Sequence, residues 1–194
     1  MQDRLLNTNI ISTYLNGDKP TNTKYAQVDR FLKSLGTTKV LVSSITILEI
    51  ESGLAMGDRP DLPQSAIEAR AEVRRFLADC EPIDPDRHTA EFYAPIRAKL
   101  FRTHGTPDGR RNKFKERKTH ELCWRVSDLS IGIDERDLLI VCAALQKNLV
   151  LVTLDDQPEM TAIIAAARSL EADGVIGKLY VHDWEAANDD DGSG

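Results

Sequence analysis

The sequence predicts an α/β fold with three layers, in which a central, mainly parallel sheet is covered by helices on both faces. Two observations carry this prediction. Short apolar runs rich in β-branched residues, such as KVLVSS at 39–44 and NLVLVTL at 148–154, are typical of strands buried on both faces. Helical patterns lie between these runs, and strands that alternate with helices favour a parallel sheet.

The first strand is expected at LLN (5–7), and small polar residues follow it before a helix begins. The predicted helices are marked by apolar residues at helical spacing, or by an apolar character almost all round. In chain order, the other predicted elements are helix 25–35, strand 39–44, helix 67–78, helix 138–145, strand 148–154 and strand 177–184.

Length and composition indicate one globular domain. A chain of 194 residues with 41% hydrophobic and 29% charged residues has enough apolar material for a sizeable core. No apolar stretch approaches the roughly 20 residues that span a bilayer, and the opening residues lack a signal-peptide pattern. Cys80, Cys123 and Cys142 form no CxxC pair, which favours reduced thiols and a cytoplasmic location.

Charge is segregated along the chain, although its net value of −6 argues against a general polyanion binder. An acidic run, Asp189–Asp191, lies near the end, and residues 185–194 are expected to be a disordered tail after a domain at 1–184. A basic cluster lies within 110–118 and consists of Arg110, Arg111, Lys113, Lys115, Arg117 and Lys118.

Polar residues follow or flank the predicted strands, where open α/β sheets bind ligands. These residues are Asn7, Glu49, Asp137 and Asp155. Each also has an ordinary explanation: Asp137 as a helix-capping acid, Asp155 as a turn residue, and Glu49 as a solvated helix residue. The neighbours of Glu49 are largely apolar, so its charge is costly unless it is paired or binds a cation.

Several blocks together resemble a PIN-domain ribonuclease, particularly the VapC-type toxins of toxin–antitoxin pairs. The blocks are LLNTNIISTYL, SSITILEIESGL, IGIDERDLLIVCAALQKNLVLVTLDD and VHDW. The likeness covers most of the chain. Its more specific details are T-x-x-E at 46–49, D-L-L-I at 137–140 and T-x-D at 153–155.

The resemblance implies a compact α/β/α fold whose acidic cluster holds Mg²⁺ or Mn²⁺ for phosphodiester cleavage. Such hard cations prefer oxygen ligands. The implied cluster is Asn7, Glu49, Asp137 and Asp155, with supporting hydroxyls and amides from Thr8, Asn9, Thr46 and Thr153. Asp137 and Asp155 are expected as direct ligands and Glu49 as a ligand or a base that orients water; one metal or two remains open.

The sequence departs from the family pattern at two places. Asn7 stands where the family has aspartate, so this chain is expected to bind a divalent ion more weakly. A natural variant and an inactivating substitution both fit that change. An insertion at 106–130 contains the basic cluster, which is either a solvated surface loop or an RNA-binding segment, with Phe114 and Trp124 available for stacking on bases.

The expected function is therefore a metal-dependent endoribonuclease toxin that is impaired by Asn7. The resemblance also implies an RNA substrate, a homodimer and a small cognate antitoxin. No membrane association is expected, because the chain lacks a long apolar stretch. The alternative is a non-catalytic PIN-like module that binds RNA or protein. A DNA nuclease on a related fold is less supported, and the lack of G-x-S-x-G, P-loop and HxxxH patterns argues against hydrolase triads, nucleotide kinases and zinc proteases.

Overall fold

The computed structural model describes residues 2–16, 23–36, 39–104, 123–126, 129–132 and 135–185. In the described part of the chain, the strands are β1 (Arg4–Leu6), β2 (Val40–Ser43), β3 (Glu81–Ile83), β4 (Cys123–Val126), β5 (Leu129–Gly132), β6 (Val150–Val152) and β7 (Tyr180–Val181). The helices are α1 (Thr8–Asn16), α2 (Thr23–Ser34), α3 (Ser44–Met56), α4 (Gln64–Asp79), α5 (Thr89–His104), α6 (Glu135–Lys147) and α7 (Pro158–Ala172).

Five strands form a parallel sheet in the order β3-β2-β1-β6-β7. The first strand in the sequence is thus the central one, and Leu5 pairs with Leu41 on one side and Leu151 on the other. Because all five strands run the same way, their carboxyl ends meet at one edge of the sheet. The predicted α/β class with a central parallel sheet is confirmed.

The strands are buried on both faces, as their continuous apolar sequences predict. Leu5, Leu41 and Leu151 face the core formed with α5, α6 and α7, which contribute Ile96, Leu100, Leu138, Met160 and Ile163. The next residue of each of these strands points to the other face. There Leu6, Val42 and Val152 pack with α1, α2 and α4, which contribute Ile10, Ile11, Val28, Phe31, Val73 and Leu77.

The ends of several elements differ from the prediction. Ser44 was expected to end the second strand, but it begins α3, because Ser43 is the N-cap and its Oγ accepts a hydrogen bond from the backbone N–H of Ile45 at 3.2 Å. The last strand covers Tyr180–Val181 only. β3 was not predicted, since EPI is short, contains proline and lies at the edge of the sheet.

The predicted insertion at 106–130 contains regular structure. Within it, β4 pairs antiparallel with β5, whose last residues extend beyond residue 130. The basic cluster at 110–118 and the acidic run at 189–191 lie outside the described residues, and so do the proposed stacking residue Phe114 and the tail beyond Glu185.

Two cysteines, Cys80 and Cys142, are free and buried. Burial raises the pKa of the Cys80 thiol to about 11 and that of the Cys142 thiol to about 12, which keeps both protonated and unreactive at neutral pH. Among the described residues, none of the helices has the length and apolar character needed to cross a membrane.

Candidate functional site

Asn7 lies directly after the central strand and is 1% exposed. Its backbone N–H donates to the carbonyl of Val152 at 2.9 Å, which continues the pairing of β1 with β6. In the side chain, Oδ1 accepts from the backbone N–H of Thr8 at 2.6 Å and Nδ2 donates to Thr153 Oγ1 at 3.1 Å. Both halves of the amide therefore have partners at the edge of the sheet, at the start of α1.

Thr153 is the common partner of the polar residues that follow β1 and β6. Its Oγ1 lies 3.1 Å from Asn7 Nδ2, 3.0 Å from Asn9 Nδ2 and 3.0 Å from the backbone nitrogen of Asp155. A hydroxyl oxygen has two acceptor lone pairs and one proton to donate. Three N–H groups thus compete for two acceptor positions, whereas a carboxylate at position 7 would accept the hydroxyl proton.

Asn9 also joins α1 to the residues that follow β6. While its Nδ2 donates to Thr153, its Oδ1 accepts from the backbone N–H of Leu154 at 3.2 Å. The Asn9 side chain therefore ties the first turn of α1 to the end of β6. The role of Asn9 and Thr153 as supporting residues of a metal site stays a prediction.

Glu49 projects from α3 and is held by α1 and α6. Thr8 Oγ1 donates to Glu49 Oε2 at 2.5 Å and lies 3.3 Å from Thr46 Oγ1. Arg136 Nη1 forms an ion pair with Glu49 Oε1 at 2.9 Å, and the Glu49 side chain is 18% exposed. Glu49 is therefore a paired, mostly buried acid and not a solvated helix residue.

Asp137 and Asp155 occupy the starts of two helices. Asp137 lies in the first turn of α6, directly after Arg136. Asp155 follows β6, and its Oδ1 accepts from the backbone N–H of Gln157 at 2.9 Å, just before α7. The ordinary turn role expected for Asp155 is thus present, and it fixes the carboxylate at the same edge of the sheet.

These side chains fit a hard divalent cation in their chemistry, because Asn7, Glu49, Asp137 and Asp155 all offer oxygen atoms. Within the ranges that the structure describes, no three Asp, Glu, His or Cys side chains form a group able to hold a metal ion. Two features bear on that arrangement. Position 7 carries a neutral amide, and Arg136 is paired with Glu49.

Two residues at the site were missed by the sequence analysis. Arg136 is one, although its position beside Asp137 is a usable signal. The other is Trp184, whose indole Nε1 donates to the carbonyl of Thr153 at 2.8 Å. Trp184 packs edge-on against Phe31 and His182, with ring centroids 5.3 Å and 4.5 Å away. Burial lowers the pKa of His182, which favours its neutral form in this cluster.

A groove adjoins Glu49 between α1, α3 and α4 and has a volume of about 450 Å³. Its walls are both apolar and polar, and the polar side chains are Thr8, Ser12, Glu49 and Arg70. The other lining residues are Ile11, Leu15, Ile50, Gly53, Leu54, Ala66, Ala69 and Val73. The groove therefore brings Glu49 beside apolar side chains of three helices.

The fold and the site define an α/β protein whose oxygen-bearing side chains gather at the carboxyl edge of a parallel sheet. The chain belongs to the PIN domain family, whose family model matches residues 4–164. Among curated proteins, none matches the chain at a significant level.

Several solved structures share this fold at low sequence identity. A chain of the DNA-bound VapBC structure from Salmonella typhimurium is 21% identical with a TM-score of 0.53, covering 95% of this chain and 99% of that chain. A chain of FitAcB from Neisseria gonorrhoeae is 23% identical with a TM-score of 0.53, covering 94% of this chain and 98% of that chain. A chain of VapBC2 from Rickettsia felis, bound to a promoter DNA fragment, is 19% identical with a TM-score of 0.51. The match covers 93% of this chain and 98% of that chain.

Replacement of Thr153 with valine tests its role as the shared hydrogen-bond partner. The Thr153→Val variant keeps the shape of the side chain but leaves buried N–H groups without their acceptor, so the free energy of unfolding should fall by about 1–3 kcal/mol. Urea denaturation measures this change. Thr161→Val, at an exposed position of α7, is the control and should stay within about 0.5 kcal/mol of the parent. Equal effects at both positions would contradict the role of Thr153.

Proposed function

We propose that this chain is a VapC-type toxin with the chemistry of a metal-dependent endoribonuclease, impaired in this form by Asn7. The observation that carries the proposal is the hydrogen-bond network at the carboxyl edge of a PIN-domain sheet. In it, Asn7 and the backbone of Asp155 share the Thr153 hydroxyl, and Glu49 accepts a hydrogen bond from Thr8. The fold shared with chains of the VapBC structures supports the toxin assignment.

In this proposal Asp137 and Asp155 are direct ligands of Mg²⁺ or Mn²⁺, and Glu49 is a ligand or a base that orients water. The metal supplies a bound water of lowered pKa and stabilises charge on the phosphate. Thr8 orients Glu49 by a direct hydrogen bond, and Thr46 contributes through its contact with the Thr8 hydroxyl. Asn9 and Thr153 hold the ends of β1 and β6 in register.

The alternative function is a non-catalytic PIN-like module that binds RNA or protein. The observation in its favour is the reduced negative charge of the site, where residue 7 is an amide and Arg136 neutralises Glu49. The two functions differ in what a restored acid at position 7 does. Only the nuclease gains metal affinity and RNA cleavage together.

The Asn7→Asp variant separates these functions. A buried carboxylate adds charge repulsion to the acidic site, so the metal-free variant should melt at a lower temperature than the parent chain. It should bind Mn²⁺ about 10-fold to 100-fold more tightly, the range seen when metal-site partners are altered. Its melting temperature should rise more with Mn²⁺ than that of the parent, because the ion binds the folded state.

Cleavage of RNA by Asn7→Asp should require Mn²⁺ or Mg²⁺. The double variant Asn7→Asp/Asp155→Asn is the matched control, because it restores the acid at 7 and removes the proposed ligand at 155. Identical metal-induced melting shifts and identical cleavage in the parent and Asn7→Asp would leave Asn7 as an ordinary turn residue and favour the non-catalytic module.

The basic cluster within 110–118 is proposed to bind RNA phosphates. Replacement of Arg110, Arg111, Lys113, Lys115, Arg117 and Lys118 by glutamate should weaken RNA binding and flatten its dependence on salt, because fewer counterions are released. Filter binding at several salt concentrations measures both. A variant with glutamate at the exposed positions Arg59 and Arg168 is the control. An unchanged salt slope in the cluster variant would assign these residues to another role.

The proposed partners are a second copy of this chain and a small cognate antitoxin. The groove beside Glu49 suits a peptide segment of an antitoxin, and a basic side chain of that segment would meet the Glu49 carboxylate. Ala69 lies on the exposed side of this groove, so a larger residue there would obstruct it.

Co-expression with the reading frame immediately upstream tests this partner. The two products should co-purify with the parent chain, and Ala69→Trp should abolish the complex by filling the groove. Ala71→Trp is the control, because Ala71 is an exposed residue of the same helix outside the groove lining. A complex that survives Ala69→Trp would show that the antitoxin binds outside the groove. If the complex with the parent chain dissociates at low salt, the upstream product is not the partner.

A further inference from the structure

Arg136 places a positive charge directly on one of the proposed metal-site acids. It lies in the first turn of α6, and its Nη1 is 2.9 Å from Glu49 Oε1. The next residue is Asp137, so the guanidinium is carried by the same turn that carries a second proposed ligand. The Arg136 side chain is 58% exposed, whereas that of Glu49 is 18% exposed. The charge therefore comes from the solvent side and covers a mostly buried carboxylate.

Both oxygens of Glu49 have partners within the protein. Oε2 accepts from the Thr8 hydroxyl at 2.5 Å, and Oε1 is paired with Arg136. A divalent cation that binds Glu49 must compete with the guanidinium for Oε1 and experiences repulsion from its charge. Of the two partners of Glu49, Arg136 is the exposed one, whereas Thr8 belongs to α1 and is partly buried.

We propose that Arg136 is a positioning residue that competes with the divalent cation for Glu49 and thereby sets the metal affinity of the site. This inference rests on the proposed metal site. In the metal-free protein Arg136 stabilises the Glu49 carboxylate. When a cation binds, the ion pair with Arg136 is exchanged for the bond to the metal.

A second ion pair of α3, between Glu51 and Arg74 of α4, provides a matched control. Arg74 Nε lies 3.3 Å from Glu51 Oε2, and the Arg74 side chain is 54% exposed, close to the value for Arg136. Glu51 follows Glu49 by two residues and belongs to no part of the proposed site. Removal of either arginine thus deletes one positive charge from an α3 ion pair, but only Arg136 contacts a proposed ligand.

The experiment measures Mn²⁺ affinity by electron paramagnetic resonance in full-length chains that carry Asn7→Asp, with glutamine at Arg136 or at Arg74. A partly exposed ion pair changes an equilibrium constant by up to roughly fivefold, and loss of the nearby charge adds to this. The Arg136→Gln chain should therefore bind Mn²⁺ about threefold to tenfold more tightly than Asn7→Asp alone. The Arg74→Gln chain should bind with unchanged affinity, and Arg136→Lys should lie between Arg136→Gln and the Asn7→Asp chain.

Thermal melts give a second, independent measurement. Without metal, Arg136→Gln should lower the melting temperature, because Glu49 loses its counter-charge while still mostly buried. At saturating Mn²⁺ the deficit should shrink, because the metal replaces the arginine as the partner of Glu49. A purely structural ion pair predicts an equal deficit with and without Mn²⁺.

The outcomes separate this inference from the function on which it rests. Failure of the Asn7→Asp chain to bind Mn²⁺, with or without Arg136, overturns the proposed metal site. If the Asn7→Asp chain binds Mn²⁺, the metal site stands. The competition alone is overturned if the Mn²⁺ affinities of the Arg136→Gln and Arg74→Gln chains are equal, or if that of the Arg136→Gln chain is weaker.

Discussion

The hydroxyl of Thr153 joins the two central strands of the sheet at the edge where the site lies. Asn7, Asn9 and Asp155 all bond to it, and Trp184 holds the carbonyl of the same residue. Because Thr153 is 6% exposed, water does not readily replace these partners. The start of α1, the turn into α7 and the last described residues are thus all bonded to one residue, the first two through the Thr153 hydroxyl and the last through its backbone carbonyl.

Charge balance is the second constraint on this edge. A buried carboxylate needs hydrogen bonds or a counter-charge, and Glu49 obtains one from Thr8 and the other from Arg136. Asn7 needs no counter-charge, and its amide oxygen serves the start of α1 instead. The neutral amide at position 7 and the guanidinium of Arg136 therefore both reduce the negative charge at this edge.

The fold was more predictable from the sequence than the site. Continuous apolar runs identified β2 and β6, because a strand buried on both faces needs apolar side chains at every position. The strand β3 escaped prediction because an edge strand of three residues tolerates a proline and an exposed glutamate. The pairing of Glu49 with Arg136 could not be predicted either, since it depends on how α3 and α6 approach one another and not on spacing along the chain.

The central position of β1 has a consequence for synthesis of the protein. Asn7, the residue after β1, bonds to Thr153, which lies 146 residues further along the chain. The strand β6, which pairs with β1 on one side, is synthesised equally late. A nascent chain that has not yet emerged to β6 leaves one edge of β1 unpaired and the Asn7 amide without its hydroxyl partner. Contacts this distant in sequence form late, because the intervening loop must close first. This edge of the sheet is therefore completed only after most of the chain has left the ribosome, so an incomplete chain lacks the Thr153 bonds that hold Asn7 and Asn9.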